Sequence, residues 1–332
     1  MTRFATRSRD HSAGRHIGMR FPGHRMMISV FALFMLVSCG TGTEAGRSPA
    51  VLSGTSFVST SVGRLAVWDT GSPGAGREEQ VIVLWPSILA DHGIYREQIE
   101  AWRHRYRLIV IDGPGHGRSG PPPETFTMAM CARAVEEILD ARKIAQPVVV
   151  VGTSWGGLVA GEFALSLPHR TRAVVMLNTP VNAPEQSIGD HFVVWSTYWL
   201  HGTSMFQEGV ASDFFLPSTR SRGGPVMESF TEQLRLADGG AMSSAVSSVL
   251  IDREPLASRM QGIAAPTLFI AGRFDTLYPA ETLRRAAAKL PDGRFVVLDT
   301  AHISVVDAPA QTTATIDDFL ASLPPVLPRQ SP

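Results

Sequence analysis

The chain has 332 residues, 44% of them hydrophobic, with 30 Lys+Arg against 30 Asp+Glu and only two cysteines. That length permits one large core with a modest insertion, and the balanced charge leaves no basic footprint for nucleic acid, which is not expected as a partner. Two cysteines, Cys39 and Cys131, exclude a disulfide framework.

Residues 1–25 carry six arginines (Arg3, Arg7, Arg9, Arg15, Arg20 and Arg25) against one acid, Asp10. The apolar run 26–37 follows, and a basic segment ahead of a short apolar one reads as a secretory signal. It is too short to span a bilayer, which takes about 20 residues. It ends in Leu36-Val37-Ser38-Cys39-Gly40, which resembles the lipobox of bacterial lipoproteins. The resemblance implies that 1–38 is a removable signal peptide and that Cys39 is acylated, anchoring an exported protein to a membrane of the bacterial cell envelope. An ordinary signal peptide with an incidental cysteine is the alternative. The small, polar residues after Cys39 suit a flexible tether over 39–55. Without 1–38 the chain keeps 24 basic and 29 acidic residues, a net charge of −5.

Short runs at 56–60 and 63–69 read as strands. Val81-Ile82-Val83-Leu84-Trp85 reads as a buried one, leading into Pro86-Ser87-Ile88-Leu89-Ala90-Asp91-His92-Gly93. Ile109-Val110-Ile111 is a further strand that runs into Asp112-Gly113-Pro114-Gly115-His116-Gly117-Arg118-Ser119. The helical pattern 128–139 makes Cys131 a small buried hydrophobe.

The apolar run Pro147-Val148-Val149-Val150-Val151 then leads into Gly152-Thr153-Ser154-Trp155-Gly156 and a helix-compatible stretch at 158–165. Strand, sharp glycine-flanked turn and helix together form the nucleophile-elbow pattern. The turn holds the Ser154 hydroxyl clear of the sheet, and the helix N-terminus behind it favours negative charge.

After a strand at 173–177 the alternation breaks. Residues 182–262 hold no clear strand and read as several helices. In them Phe192, Trp195 and Trp199 recur at helical spacing, either lining a substrate pocket or fixing the helix to the core. Pro266-Thr267-Leu268-Phe269-Ile270-Ala271-Gly272 restores a buried strand, with Asp275 in the loop beyond it. Arg294-Phe295-Val296-Val297-Leu298 leads into Asp299-Thr300-Ala301-His302. Both loops lie at strand C-termini, where open α/β sheets keep their chemistry. The alternatives are a simple turn aspartate for Asp275 and a surface or packing histidine for His302; their order after Ser154, each beyond a strand, favours acid and base. Asp299 competes with Asp275 but lies too near His302 in the chain to reach the far side of the imidazole easily.

These residues and motifs identify the region from about 56 to 323 as resembling the α/β-hydrolase superfamily. The Asp112–Ser119 segment is similar to the family's D-x-P-G-x-G-x-S loop, which implies a structural role for His116. The resemblance implies a mostly parallel sheet with helices on both faces. Its core would span 56–181 and 263–323, with a helical cap at 182–262 and a tail at 324–332. It implies a triad of Ser154, Asp275 and His302. The oxyanion hole would use the amide of Trp155 and, by similarity to enol-lactonase-like members, that of Ile88, with Ser87 as fallback donor or loop brace; Pro86 has no N–H to give. Dehalogenases and epoxide hydrolases of this fold carry an aspartate nucleophile, against which Ser154 argues. No glycine-rich loop with Lys-Ser or Lys-Thr, no CxxC and no HExxH is present, so neither cofactor nor metal is expected. The expectation is a serine hydrolase acting on a small-molecule acyl substrate, a small or medium carboxylic ester or lactone. C–C, thioester or aminopeptidase-type cleavage by the same triad is the rival. Hydroxynitrile lyases and cofactor-free haloperoxidases also keep the triad. A non-catalytic envelope binding protein would need no triad, and here no member is lost.

Overall fold

The computed structural model describes residues 52, 54–73, 80–123 and 125–324. The expected signal segment, Cys39, most of the tether and all but the first residue of the tail lie outside the described residues. Eight strands form one sheet: β1 Ser56–Thr60, β2 Gly63–Asp69, β3 Val81–Trp85, β4 Arg107–Ile111, β5 Val148–Thr153, β6 Thr171–Leu177, β7 Thr267–Gly272 and β8 Gly293–Leu298. Their order is β1-β2-β4-β3-β5-β6-β7-β8. β1 and β2 form a hairpin, β2 joins β4 antiparallel, and every pairing from β4 to β8 is parallel. The expected α/β architecture is what the chain adopts.

The strand sequences explain their places. β3, β5 and β7 are buried at every position, as continuous apolar runs require when helices cover both faces of a parallel sheet. β1 alternates between half-buried and exposed residues, as an edge strand with one covered face should. From β3 the chain passes to β4 on one side and later returns to β5 on the other. That reversal opens a crevice at the carboxyl ends of the central strands.

Helices α1 Arg96–Trp102, α2 Met128–Ala141, α3 Trp155–Ser166, α9 Ala280–Ala287, α10 Ser304–Asp307 and α11 Pro309–Ala321 accompany the sheet. α2 starts at Thr127, whose hydroxyl accepts from the Met130 amide at 3.2 Å, and buries Cys131, Val135 and Ile138 on one face. α3 is buried from Trp155 to Ala164. Its one buried acid, Glu162, is held by Arg259.

Between β6 and β7 lie five helices: α4 Ile188–Leu200, α5 Ser204–Phe214, α6 Pro217–Arg222, α7 Pro225–Leu236 and α8 Gly239–Leu250. α4 begins with a capping box in which Ser187 Oγ accepts from the Asp190 amide and Asp190 Oδ2 accepts from that of Ser187. The group is tied down over the carboxyl edge of the sheet. Gln233 Nε2 of α7 donates to Leu89 O, and the Ile303 amide donates to Phe214 O at the end of α5. Asp307 bridges the two layers, accepting from the Ala301 amide at 2.7 Å and the Leu216 amide at 3.0 Å.

Candidate active site

Ser154 follows β5 directly, with φ 53° and ψ −111°, a conformation that a residue with a Cβ adopts only under constraint. The constraint is packing. A Cβ at Gly152 would run into the Gly156 and Gly157 backbone, and one at Gly156 into the Trp85 carbonyl, so only glycines let the turn close this tightly. The Ser154 amide is fixed to Leu177 O at 2.7 Å, and its side chain makes no capping bond to α3. The hydroxyl is therefore not spent on the helix.

At the ends of β7 and β8 the structure brings Asp275 and His302 together. His302 Nδ1 lies 2.9 Å from Asp275 Oδ2, and both side chains are buried. The second carboxylate oxygen accepts from the amides of Leu277 at 2.9 Å and Tyr278 at 3.0 Å. Burial pushes the Asp275 carboxyl up, but the charge and hydrogen bond of His302, the Tyr278 amide and Asn178 outweigh it and hold the group below its ordinary value. An ionised Asp275 fixes the Nδ1–H tautomer and leaves Nε2 as a base. Asp299, the competitor, is exposed and paired with Arg273 at 2.5 Å, so it has no part in orienting His302.

Sequence reasoning missed Asn178. It follows β6 directly, at φ 49°, and its Nδ2 donates to Asp275 Oδ2 at 3.0 Å and Ala301 O at 3.2 Å, while Oδ1 accepts from Ser304 Oγ at 2.7 Å. Its amide bonds Ile270 O at 2.8 Å. A polar residue capable of positive φ, closing the apolar β6, was the available signal. Asp213 on α5 was also missed. Burial lifts its carboxyl to about 6 against the opposing charge of His302, and nothing in an amphipathic helix distinguishes such an aspartate beforehand.

Ile88 is buried and shares a cavity with Leu89, Asp190, Val193, Phe214, Tyr278 and His302. Trp155 is the first residue of α3, where amides lack intrahelical partners. The loop beside Ile88 is held by His116, not by Ser87. His116 Nε2 accepts from the Leu89 amide at 2.9 Å and Nδ1 sits 3.0 Å from Pro114 O, whereas the buried Ser87 hydroxyl finds no partner among the described residues. Burial pushes His116 down to about 4, so the ring stays neutral and can accept.

The pocket aromatics need correction. Trp195 and Trp199 are 50% and 64% exposed, and α4 turns Asp190 and Val193, not these rings, toward the cavity. Phe192 stacks on Trp195 with ring centroids 5.6 Å apart. The helical period was legible, but which face turns inward depends on how α4 packs against α8.

Asp91, His92 and Asp112 bring ligand atoms within 4.8 Å of one another and could hold a cation. The oxygens of Asp112 are already taken, by the His92 amide and Nδ1 and by the Arg118 amide. Burial would lower the His92 imidazole, but the charge and hydrogen bond of Asp112, with Asp91, raise it to about 9. A buried ion pair bracing the β3 and β4 loops accounts for the cluster.

A doubly covered parallel sheet with a serine turn and a carboxylate–imidazole pair along its carboxyl edge defines an α/β protein whose chemistry sits at strand ends. The chain belongs to the alpha/beta hydrolase fold family, whose model matches residues 80–309. It is 24% identical over 240 residues to a pimeloyl-acyl-carrier-protein methyl ester esterase of Xylella fastidiosa (strain M12), covering 70% of this chain and 91% of that protein. It is 30% identical over 147 residues to bifunctional epoxide hydrolase 2 of Mus musculus, covering 41% of this chain and 26% of that protein. The chain thus spans about a quarter of the length of the epoxide hydrolases it matches. A hydrolase from Pseudomonas aeruginosa PA01 superposes with a TM-score of 0.72 at 27% identity, covering 81% of this chain and 98% of that one.

Proposed function

We propose that the protein is a serine hydrolase that cleaves a small or medium carboxylic ester or lactone through an acyl-enzyme on Ser154. The observation that carries this reading is the buried 2.9 Å contact of His302 Nδ1 with Asp275, which Asn178 ties to the end of β6, where Leu177 O holds the amide of Ser154, a residue whose side chain caps nothing. His302 Nε2 takes the hydroxyl proton as Ser154 Oγ attacks the acyl carbon, and returns a proton to the leaving oxygen. Asp275 stabilises the imidazolium. The amides of Trp155 and Ile88 receive the oxyanion, and water, activated by His302, then releases the acid. The methyl ester esterase named among the relatives favours ester chemistry. The epoxide hydrolases match a shorter stretch, and a serine stands at the elbow where their chemistry is expected to use aspartate.

The test is turnover of short- and medium-chain p-nitrophenyl esters by the purified protein, with labelling by a fluorophosphonate. Both should vanish in Ser154→Ala, by roughly 10⁴-fold or more for turnover. Labelling without turnover of any ester would move the reading to the C–C, thioester or aminopeptidase-type substrates. Absence of both in a folded protein would overturn it.

A further inference from the structure

Ile88 and Leu89 form a turn after β3, and Leu89 has φ 58° although it carries a side chain. Such a residue enters the left-handed region only at a cost, so the conformation lasts while its surroundings hold it. Two hydrogen bonds do so, one on each peptide plane beside its Cα. The Leu89 amide donates to His116 Nε2 at 2.9 Å, and the Leu89 carbonyl accepts from Gln233 Nε2 at 2.8 Å. His116 belongs to the loop after β4, whereas Gln233 belongs to α7, among the helices between β6 and β7. All three residues are buried. The reversed Gln233 amide would set oxygen against the Leu89 oxygen, so its nitrogen faces the carbonyl. Ser229 lies one turn earlier on the same face of α7, and a Cβ on Gly93 would come within 3.0 Å of its hydroxyl oxygen. Helix α7 thus seats on this segment at two points.

We propose that Gln233 is a positioning residue for the oxyanion hole: by holding the Leu89 carbonyl, α7 keeps the turn in the conformation that aims the Ile88 amide at the acyl oxygen. The proposal rests on the serine-hydrolase reading above. An oxyanion donor accelerates the reaction only when it is aimed before charge develops. The Trp155 amide meets that condition by itself, at the start of α3 directly behind the serine turn. The Ile88 amide stands in a turn and depends on what fixes it. Its carbonyl carbon is joined to the Leu89 nitrogen, so the direction of its own N–H, one peptide plane back, follows from where the two bonds put Leu89. Ser87, the preceding residue, gives no help, since its buried hydroxyl finds no partner among the described residues. Without Gln233 only the His116 bond remains, and the peptide after Leu89 is free to swing back toward negative φ. Ile88 and Leu89 both border the cavity that His302 lines, so the change falls beside the reacting groups. Gln233 acts through Leu89 and not on the substrate, and the hole is complete only with α7 seated on the turn.

Gln233→Met keeps the length of the side chain and removes its donor; Gln233→Leu is a second donor-free replacement suited to a helix. The full-length parent and both variants are compared on a dissolved short-chain p-nitrophenyl ester and for inhibition by an alkyl trifluoromethyl ketone. Ser154 Oγ adds to the ketone carbon, the carbonyl π pair moves to its oxygen, and His302 takes the hydroxyl proton, so the adduct places an oxyanion where the transition state has one. Losing an oxyanion donor outright costs about 10²–10³ in kcat. Misaiming one should lower kcat roughly 10- to 100-fold with KM little changed, and weaken the ketone by the same factor as kcat/KM. Unchanged kcat and ketone affinity in a folded variant of an active parent overturn this proposal and leave the serine-hydrolase reading in place. A rise in KM with kcat and ketone affinity held overturns it in favour of packing alone. A parent that turns over no ester and binds no ketone overturns the serine-hydrolase reading and this inference with it.

Discussion

Asn178 is the residue on which the geometry of the candidate site turns. It meets Asp275 and the Ala301 carbonyl beside His302 with one amide group, and receives Ser304 with the other end of the same side chain. Because its backbone amide is bonded to β7 and β6 also carries the Ser154 amide, one strand end links the serine turn to the acid and base. Removing the side chain leaves Asp275 and the Ala301 carbonyl with one donor fewer each, in surroundings where an unmet polar group costs about 1–3 kcal/mol, while Ser304 keeps Thr300 as a partner. Asn178→Ala should therefore lower kcat roughly 10- to 100-fold through misplacement of His302, with KM for p-nitrophenyl esters little changed. Steady-state kinetics decide it: a rise in KM at constant kcat would assign Asn178 to substrate binding. None of this was legible beforehand, since a polar residue at a strand end is common and its partners lie more than ninety residues further along the chain. Ser154, Asp275 and His302 were legible because each follows a strand that its own apolar run announces.

At the scale of elements, the loops after β3 and β4 are held against each other by histidines of opposite character. His116 is neutral and accepts; His92 is charged and donates to Asp112. Their sequence context hardly differs, each lying in a loop at a strand's carboxyl end, so only the neighbours in space distinguish them. The raised His92 predicts a definite pH response. The folded protein holds its proton up to about 9, whereas the unfolded chain gives it up near 6.5. The native state thus binds more protons between those values, and stability must fall as pH rises through the window, by at most about 1.4 kcal/mol per pH unit. Thermal melts should show Tm declining from pH 6.5 to 9 in the parent and flattening in His92→Gln. An unchanged slope in the variant would place the titration elsewhere. The strands were readable from the chain alone, and so was the helical nature of the stretch between β6 and β7. The inward face of α4 was not, because its rings keep one period on the solvent side while Asp190 and Val193 keep the same period on the cavity side.

For the whole molecule, the proposed membrane attachment rests on a single residue, Cys39. No helix among the described residues is long and apolar enough to cross a bilayer, and a net charge of −5 after removal of residues 1–38 gives no electrostatic attraction to an anionic surface. The proposed acylation of Cys39 would supply the durable attachment. In fractionated cells the parent should stay in the membrane pellet through a high-salt wash and need detergent for release. Cys39→Ala should shift most of the protein to the soluble fraction. Membrane association unchanged by Cys39→Ala would remove the lipid from this account and leave the apolar segment before it as the attachment.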